Sequence, residues 1–231
     1  MVALAKTVHA SHSLRVLALL LSYPDAGMRR YLGEMRDALH DERALTPGRL
    51  AELDALIASL SGADALEAEA SYVHLFDRGR ATSLHLFEHV HGDSRDRGPA
   101  MIDLQQTYEK AGLLLAPGEL PDYLPAVLEF VSTQPPREAR AFLSEMAHIF
   151  NAIFSALQQR QSAYASVIGA LLELAGEKAQ AVTLAPEEPL DESWVEPVVF
   201  DGCSSKGQAT PGQPQPIHII RKDKSAQGAP L

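Results

Sequence analysis

Between positions 142 and 157 the apolar residues fall at Phe142, Leu143, Met146, Ile149, Phe150, Ile153, Phe154 and Leu157. Steps of three and four gather all of these on one stripe about 100° wide if the chain is helical, and scatter them over both faces of a strand. The same spacing recurs along most of the chain, and no stretch alternates apolar and polar residues long enough for a strand. It is therefore predicted to be all-α. Leu14, Leu17, Leu20 and Leu21 follow Ser13, a candidate cap, and end at Tyr23-Pro24. A second helix is expected over about 28–39. Thr46-Pro47 starts one carrying Leu50, Leu53, Leu56, Ile57 and Leu60 and closed by Gly62. Asp64 opens the next, through Tyr72 and Phe76, and Thr82 or Ser83 caps a short segment at 84–91. Pro99 begins a helix stopped at Gly112, and Pro121 begins one reaching Val131. The longest is expected to start at Pro135-Pro136 and carry the stripe above; the last covers 165–174 and ends at Gly176. Short links favour antiparallel neighbours in a single compact multi-helix domain over 1–183.

Composition changes beyond that point. Seven of the fifteen prolines fall in the final 48 residues, together with four glycines. Such a segment forms no long helix and has little to bury apart from Trp194-Val195 and Val198-Val199-Phe200, so 184–231 is predicted to be a mostly disordered, Pro-rich tail. Of the formal net charge of −10, only −3 lies in that tail. An acidic body opposes binding to nucleic acid, whose phosphates require surplus Lys and Arg. The single cysteine, Cys203, permits no internal disulfide and no cysteine-only zinc or iron–sulfur site. The longest wholly apolar run, 16–21, is far short of the roughly 20 residues of a membrane span. Together with the absence of a signal-peptide pattern, this points to a cytoplasmic protein without direct membrane insertion. Arg29-Arg30 precedes Glu34, Arg36 and Asp37, which suits a solvated helix face better than a twin-arginine signal.

Chemistry concentrates between Tyr72 and Asp103, with four histidines, four arginines and five acids. His85-Leu86-Phe87-Glu88-His89 matches H-x-x-E-H, in which two imidazoles on one helix face hold Zn²⁺ and the glutamate polarises its water. A zinc-dependent hydrolase would need a third ligand from elsewhere, and Glu173 is available. The competing reading makes Leu86 and Phe87 core, with polar neighbours that cap and hydrogen-bond. The run of Asp93, Arg95, Asp96 and Arg97 between Gly92 and Gly98 is either a self-paired loop or a cradle for phosphate or carboxylate. It lacks the order of a P-loop. Glu119-Leu120-Pro121-Asp122-Tyr123-Leu124-Pro125 places two acids at a helix start, where the dipole favours negative charge. These acids either cap the helix or meet a cationic peptide. Cys203 has no base held against it, and neither a nucleophile elbow nor a dinucleotide fingerprint is present, so nucleophilic catalysis and dinucleotide binding are not expected.

Three motifs carry a resemblance to a known family: Leu19-Leu20-Leu21-Ser22-Tyr23-Pro24, the 72–101 block containing SLHLFEHVHGDSRDRG at 83–98, and the 119–125 segment. Over about 13–200 the chain resembles the delta-subunit group of respiratory nitrate reductase assembly chaperones, within the wider all-helical molybdoenzyme-maturation chaperones. The wider family's E-P-x-D-H-L segment has Tyr123 here in place of its histidine. The resemblance implies a dedicated cytoplasmic chaperone that is not itself an enzyme and is absent from the finished complex. It would bind the N-terminal, leader-like segment of the apo catalytic (alpha) subunit, support insertion of the molybdenum cofactor and an iron–sulfur cluster, and delay membrane docking. No cofactor would be held stably. Association with molybdenum cofactor would be transient and through the client, with cofactor-biosynthesis proteins as further partners.

A basic amphipathic leader suits a groove between helices with acids at its rim. The expected groove takes apolar contact from Tyr72, Phe76, Leu84, Phe87, Tyr123 and Leu124, although plain core packing is the stronger reading for most of the aromatics among them. Charge would come from Asp77, Glu88, Glu119 and Asp122. Arg80, His85, His89, Asp93, Arg95 and Arg97 complete the candidate partner-binding set, with the histidines as a source of pH dependence. A generic helical adaptor is the remaining alternative.

Overall fold

The structure is a computed structural model that describes residues 9–90, 95–180 and 182. The chain divides into two units, Met1–Glu187 and Glu188–Leu231, and every described residue belongs to the first. The expected tail, with Cys203 and Trp194, lies outside the described residues, as do His91 and Asp93.

The described helices are α1 (Ser11–Leu20), α2 (Ala26–Arg29), α3 (Leu32–Glu42), α4 (Pro47–Gly62), α5 (Ala65–Phe76), α6 (Leu86–Val90), α7 (Arg97–Lys110), α8 (Leu124–Ser132), α9 (Pro136–Glu145), α10 (Ala147–Gln159) and α11 (Ala165–Ala175), with a 3₁₀ turn at Arg80–Thr82. No strand forms among the described residues; one isolated antiparallel bridge joins His85 to Tyr123. The fold is all-α, as the periodicity requires.

The most enclosed helix is α11, buried from Ser166 through Leu172 and packed against α10, α9, α4 and α1. Its stripe widens to the whole circumference because neighbours cover it on all sides. In turn, α1 packs on α8 and α3, and α3 on α4. Leu17, Leu20, Leu53, Leu128, Phe150 and Leu171 have no more than 0% exposure, and each such side chain contributes roughly 1.5–3 kcal/mol by leaving water. Gly176 ends α11 in the left-handed region at φ 80°, a conformation that glycine adopts without a Cβ penalty.

Several boundaries differ from the expectation. Ser13 does not cap α1: it is buried inside the helix, and Glu42 reaches over from α3 to accept from the His12 and Ser13 N–H groups at 3.0 and 2.6 Å. The helix expected over 28–39 is two, α2 and α3, because Asp25 caps a separate first turn by accepting from Met28 N–H at 2.7 Å. Thr46 caps α4 in backbone only; its N–H and hydroxyl both donate to Glu173, at 2.5 and 3.1 Å. Gly62 is the last residue of α4, with extended Ala63 after it. The stripe from Phe142 to Leu157 is shared by α9 and α10, which meet at Met146 (φ −89°, ψ −1°), so the longest helix is the sixteen-residue α4. Asp64 does cap α5, with its carboxylate accepting from Leu66 and Glu67 N–H.

Candidate partner-binding site

The two most distinctive motifs meet in space. Leu124 N–H donates to Leu84 O at 2.8 Å and Leu86 N–H donates to Asp122 O at 3.0 Å, so the strand-like crossing of 84–86 with 122–124 ties the start of α6 to the start of α8. At its centre Asp122 has 0% exposure. Its Oδ2 accepts from Phe87 N–H at 3.1 Å and faces Arg97 at 3.7 Å, while Oδ1 accepts from His85 Nδ1 at 3.4 Å. The carboxylate thus caps α6, which is too short to hold its own amino end. The hydrogen bond to Asp122 pushes the His85 pKa above its ordinary value; burial pulls the other way and loses.

Asp122 is therefore not a rim charge, contrary to the expected groove. Leu124 (0%), Leu84 (3%), Tyr72 (4%) and Phe76 (5%) are core rather than open contact surface. Phe87, Glu88 and His89 are half-buried on α6. Glu88 pairs with Arg97 at 3.6 Å, and His89 Nε2 donates to Ser83 O at 2.9 Å. Asp77, Arg80, Arg95 and Glu119 are exposed; Glu119 accepts from Ala116 N–H at 3.3 Å within its own turn. Tyr123 is half-buried and stacks, tilted by 35°, on the His85 ring at 5.4 Å.

The H-x-x-E-H positions do not converge on a metal. His85 lies before α6 rather than within it, and His85, Glu88 and His89 each engage a different partner. Glu173, the third ligand expected, is committed to Thr46 and Arg49 at the start of α4. Among the described residues no group of three or more His, Cys, Asp or Glu side chains is placed to hold a metal ion.

Beside the crossing is a depression of about 220 Å³ lined by Tyr23, Tyr72, Phe76, Asp77, Leu84, His85 and Tyr123. Six of these seven lie in the candidate set. Beyond Tyr23 it adjoins a second depression bounded by Leu66, Ala70, Val73 and His74 on α5, where Leu66 is 75% exposed. Together they form an open apolar surface along α5. Tyr23 and Tyr72 meet edge to face at 5.7 Å, and Tyr72 and Phe76 pack on Tyr164 at 6.2 and 5.1 Å. Sequence reasoning missed Tyr23 and Tyr164 as site residues. Tyr23 stood inside the 19–24 motif, but nothing in the pattern joined Tyr164 to α5. A larger cleft of about 280 Å³ lies between α1, α8, α9 and α11. Its charged groups already serve helix ends: Arg140 donates to Ala175 O at 3.2 Å, and Glu173 holds Thr46.

Comparison with known proteins settles the family. The model of the nitrate reductase delta subunit family matches residues 24–168, which include both halves of the crossing. The chain belongs to that family. It is 46% identical over 160 residues to the nitrate reductase molybdenum cofactor assembly chaperone NarJ of Escherichia coli (strain K12), covering 69% of this chain and 68% of that one. It is 37% identical over 156 residues to the nitrate reductase-like protein NarX of Mycobacterium tuberculosis (strain ATCC 25618 / H37Rv), covering 67% of this chain but 23% of the longer NarX. A crystal structure of a candidate redox enzyme maturation protein from Archaeoglobus fulgidus shares the fold, with a TM-score of 0.54 at 20% identity, covering 77% of this chain and all of that one. NarJ is named as an assembly chaperone, not as a catalyst, and so is the Bacillus subtilis NarJ, 32% identical over 158 residues. No described helix is long and apolar enough to cross a membrane.

Proposed function

We propose that this protein is a dedicated assembly chaperone for nitrate reductase. In this role it binds the N-terminal, leader-like segment of the apo catalytic subunit along the α5 surface, between the Tyr23 side and the His85–Tyr123 crossing. The observation that carries the role is the extensive identity to NarJ, over the stretch that builds the crossing. The geometry supports the binding mode. Exposed Leu66 and half-buried Val73 offer apolar contact beside exposed Asp77, which suits the apolar face and basic residues of an amphipathic helix. The acidic body attracts such a segment at long range. In NarX a homologous stretch is part of a longer chain that is named as nitrate reductase-like.

Holding the leader keeps the apo subunit competent while molybdenum cofactor and the neighbouring iron–sulfur cluster are inserted, and delays its docking at the membrane. The chaperone works in the cytoplasm, meets cofactor only through its client, cooperates with cofactor-biosynthesis proteins, and leaves before the enzyme is complete. Titration calorimetry of the full chain with a synthetic peptide from the N-terminus of the catalytic subunit tests the binding mode. Saturable heat at one peptide per chain, weakened by Leu66→Glu, is expected. A folded sample that gives no heat would overturn it.

A further inference from the structure

The hydroxyl groups around the 220 Å³ depression have a forced direction. Tyr72 Oη lies 2.6 Å from Leu21 O, and a carbonyl can only accept, so the Tyr72 proton is spent there. Tyr72 and Tyr123 hydroxyls are 3.3 Å apart, and the proton between them therefore comes from Tyr123. Tyr23 donates its own to Glu69 Oε2 at 2.9 Å. Both rim phenols, Tyr23 and Tyr123, thus turn only lone pairs outward, and Asp77 adds a carboxylate. Burial does most to raise the pKa values of Tyr72 and Tyr123, and the hydrogen bond to Glu69 most to raise that of Tyr23; Asp77 adds a smaller rise to all three, and Glu119 one to Tyr123.

A rim of acceptors around aromatic rings is matched by a group that only donates and carries positive charge. An ammonium or guanidinium would satisfy those lone pairs and lie against the rings, whereas an apolar tip would strip them of water with no return. The space is below the roughly 300–1,000 Å³ of small-molecule pockets and suits one long side chain. His85 is a further lining group, its Nδ1 engaged by Asp122; Arg78 and His74 line the neighbouring depression beyond Tyr23. We propose that the depression bounded by Tyr23, Tyr72, Asp77 and Tyr123 is a subsite for a single arginine or lysine side chain of the client segment. This inference rests on the leader-binding reading and adds to it the residue class that fixes the register of the leader.

The test is a series of catalytic-subunit N-terminal peptides in which each arginine is replaced in turn by citrulline and each lysine by norleucine. They are titrated against the full chain and its Asp77→Asn and Tyr123→Phe variants. One replacement is expected to weaken binding ~10-fold to the unaltered chain, with most of that loss absent against Asp77→Asn. Equal binding of every replaced peptide to all three proteins would overturn the subsite while leaving leader binding intact. If the unaltered peptide does not bind, the leader reading fails, and Nα-acetyl-arginine amide decides the subsite by NMR. Shifts at Tyr23, Tyr72 and Tyr123 that Nα-acetyl-norleucine amide does not cause, and that Asp77→Asn abolishes, would uphold it. Identical responses to the two amides would overturn it.

Discussion

Replacing Asp122 tests the crossing directly. Its buried carboxylate accepts from Phe87 N–H at 3.1 Å and faces His85 and Arg97 at 3.4 and 3.7 Å. Asp122→Ala removes a charged hydrogen bond worth about 1.5–3 kcal/mol and the counter-charge for two cations. Breaking a fully buried pair costs about 3–5 kcal/mol, but the His85 and Arg97 side chains are 34% and 26% exposed, so solvent recovers part of this. A loss of about 2–4 kcal/mol is expected. Asp122→Asn keeps the volume and an oxygen acceptor for Phe87 and should cost about half as much. His85 supplies the pH signature. Its pKa is raised in the folded state, so its contribution is fully present below the ordinary histidine value and disappears as pH rises through the raised value. The gap between the unaltered chain and Asp122→Asn should accordingly be wider at pH 5.5 than at pH 8.5. Urea denaturation at both pH values, with m unchanged, measures it. A gap that is constant or widens with pH would refute the pairing, and an Asp122→Ala loss below about 1 kcal/mol would refute the assigned burial cost.

Tyr72→Phe removes the buried 2.6 Å bond to Leu21 O and the acceptor for Tyr123, and should lower stability by about 1–1.5 kcal/mol in chemical denaturation with helix content unchanged. Glu173→Ala frees the amino end of α4 and leaves Arg49 with Glu52 alone, costing about 1–2 kcal/mol and several degrees of thermal midpoint; an unchanged midpoint would rule out its capping role. Gly112 and Gly176 share φ 80°, but a Cβ at Gly176 would meet Arg140 whereas one at Gly112 meets open space. Gly112→Ala should therefore cost about 1 kcal/mol, with Gly176→Ala distinctly more because Arg140 must leave Ala175 O.

The helices were legible where apolar spacing and end signals agree. Asp64 caps α5, Gly112 follows α7 and Gly176 ends α11 in the left-handed conformation that a terminal glycine allows. Periodicity missed the join at Met146, because a stripe reports which side of a helix is buried, not whether its axis continues, and neither Pro nor Gly marks the turn. It also gave α1 a local cap, when Glu42 supplies one from thirty residues away. At the site, the structure brings 84–86 and 122–124 together beside α5, but sequence did not sort these residues by depth. Asp122 reads in sequence like any acid at a helix start; its burial comes with the crossing of 84–86 and 122–124, which brings the start of α6 onto its carboxylate. Tyr23 and Tyr164 approach Tyr72 through tertiary contacts that no local spacing encodes.

The concentration of polar residues between 72 and 103 follows from what a helical protein must do to hold an irregular corner in place. Helices satisfy their own backbone, so packing them leaves few directional groups to position side chains at a rim. Here the join is made where regular structure lapses. Two backbone hydrogen bonds link 84–86 to 122–124, and they place His85 and Tyr123 side by side at the mouth of the depression. Such a short pairing is weak by itself. Asp122 reinforces it from below with one hydrogen bond to the start of α6 and two cationic partners, while Tyr72 reinforces it from the α5 side through Leu21 and Tyr123. The charged residues that resembled a catalytic set are spent on holding this corner, which leaves the aromatic faces of Tyr23 and Tyr123 as the part that the proposed client segment would meet.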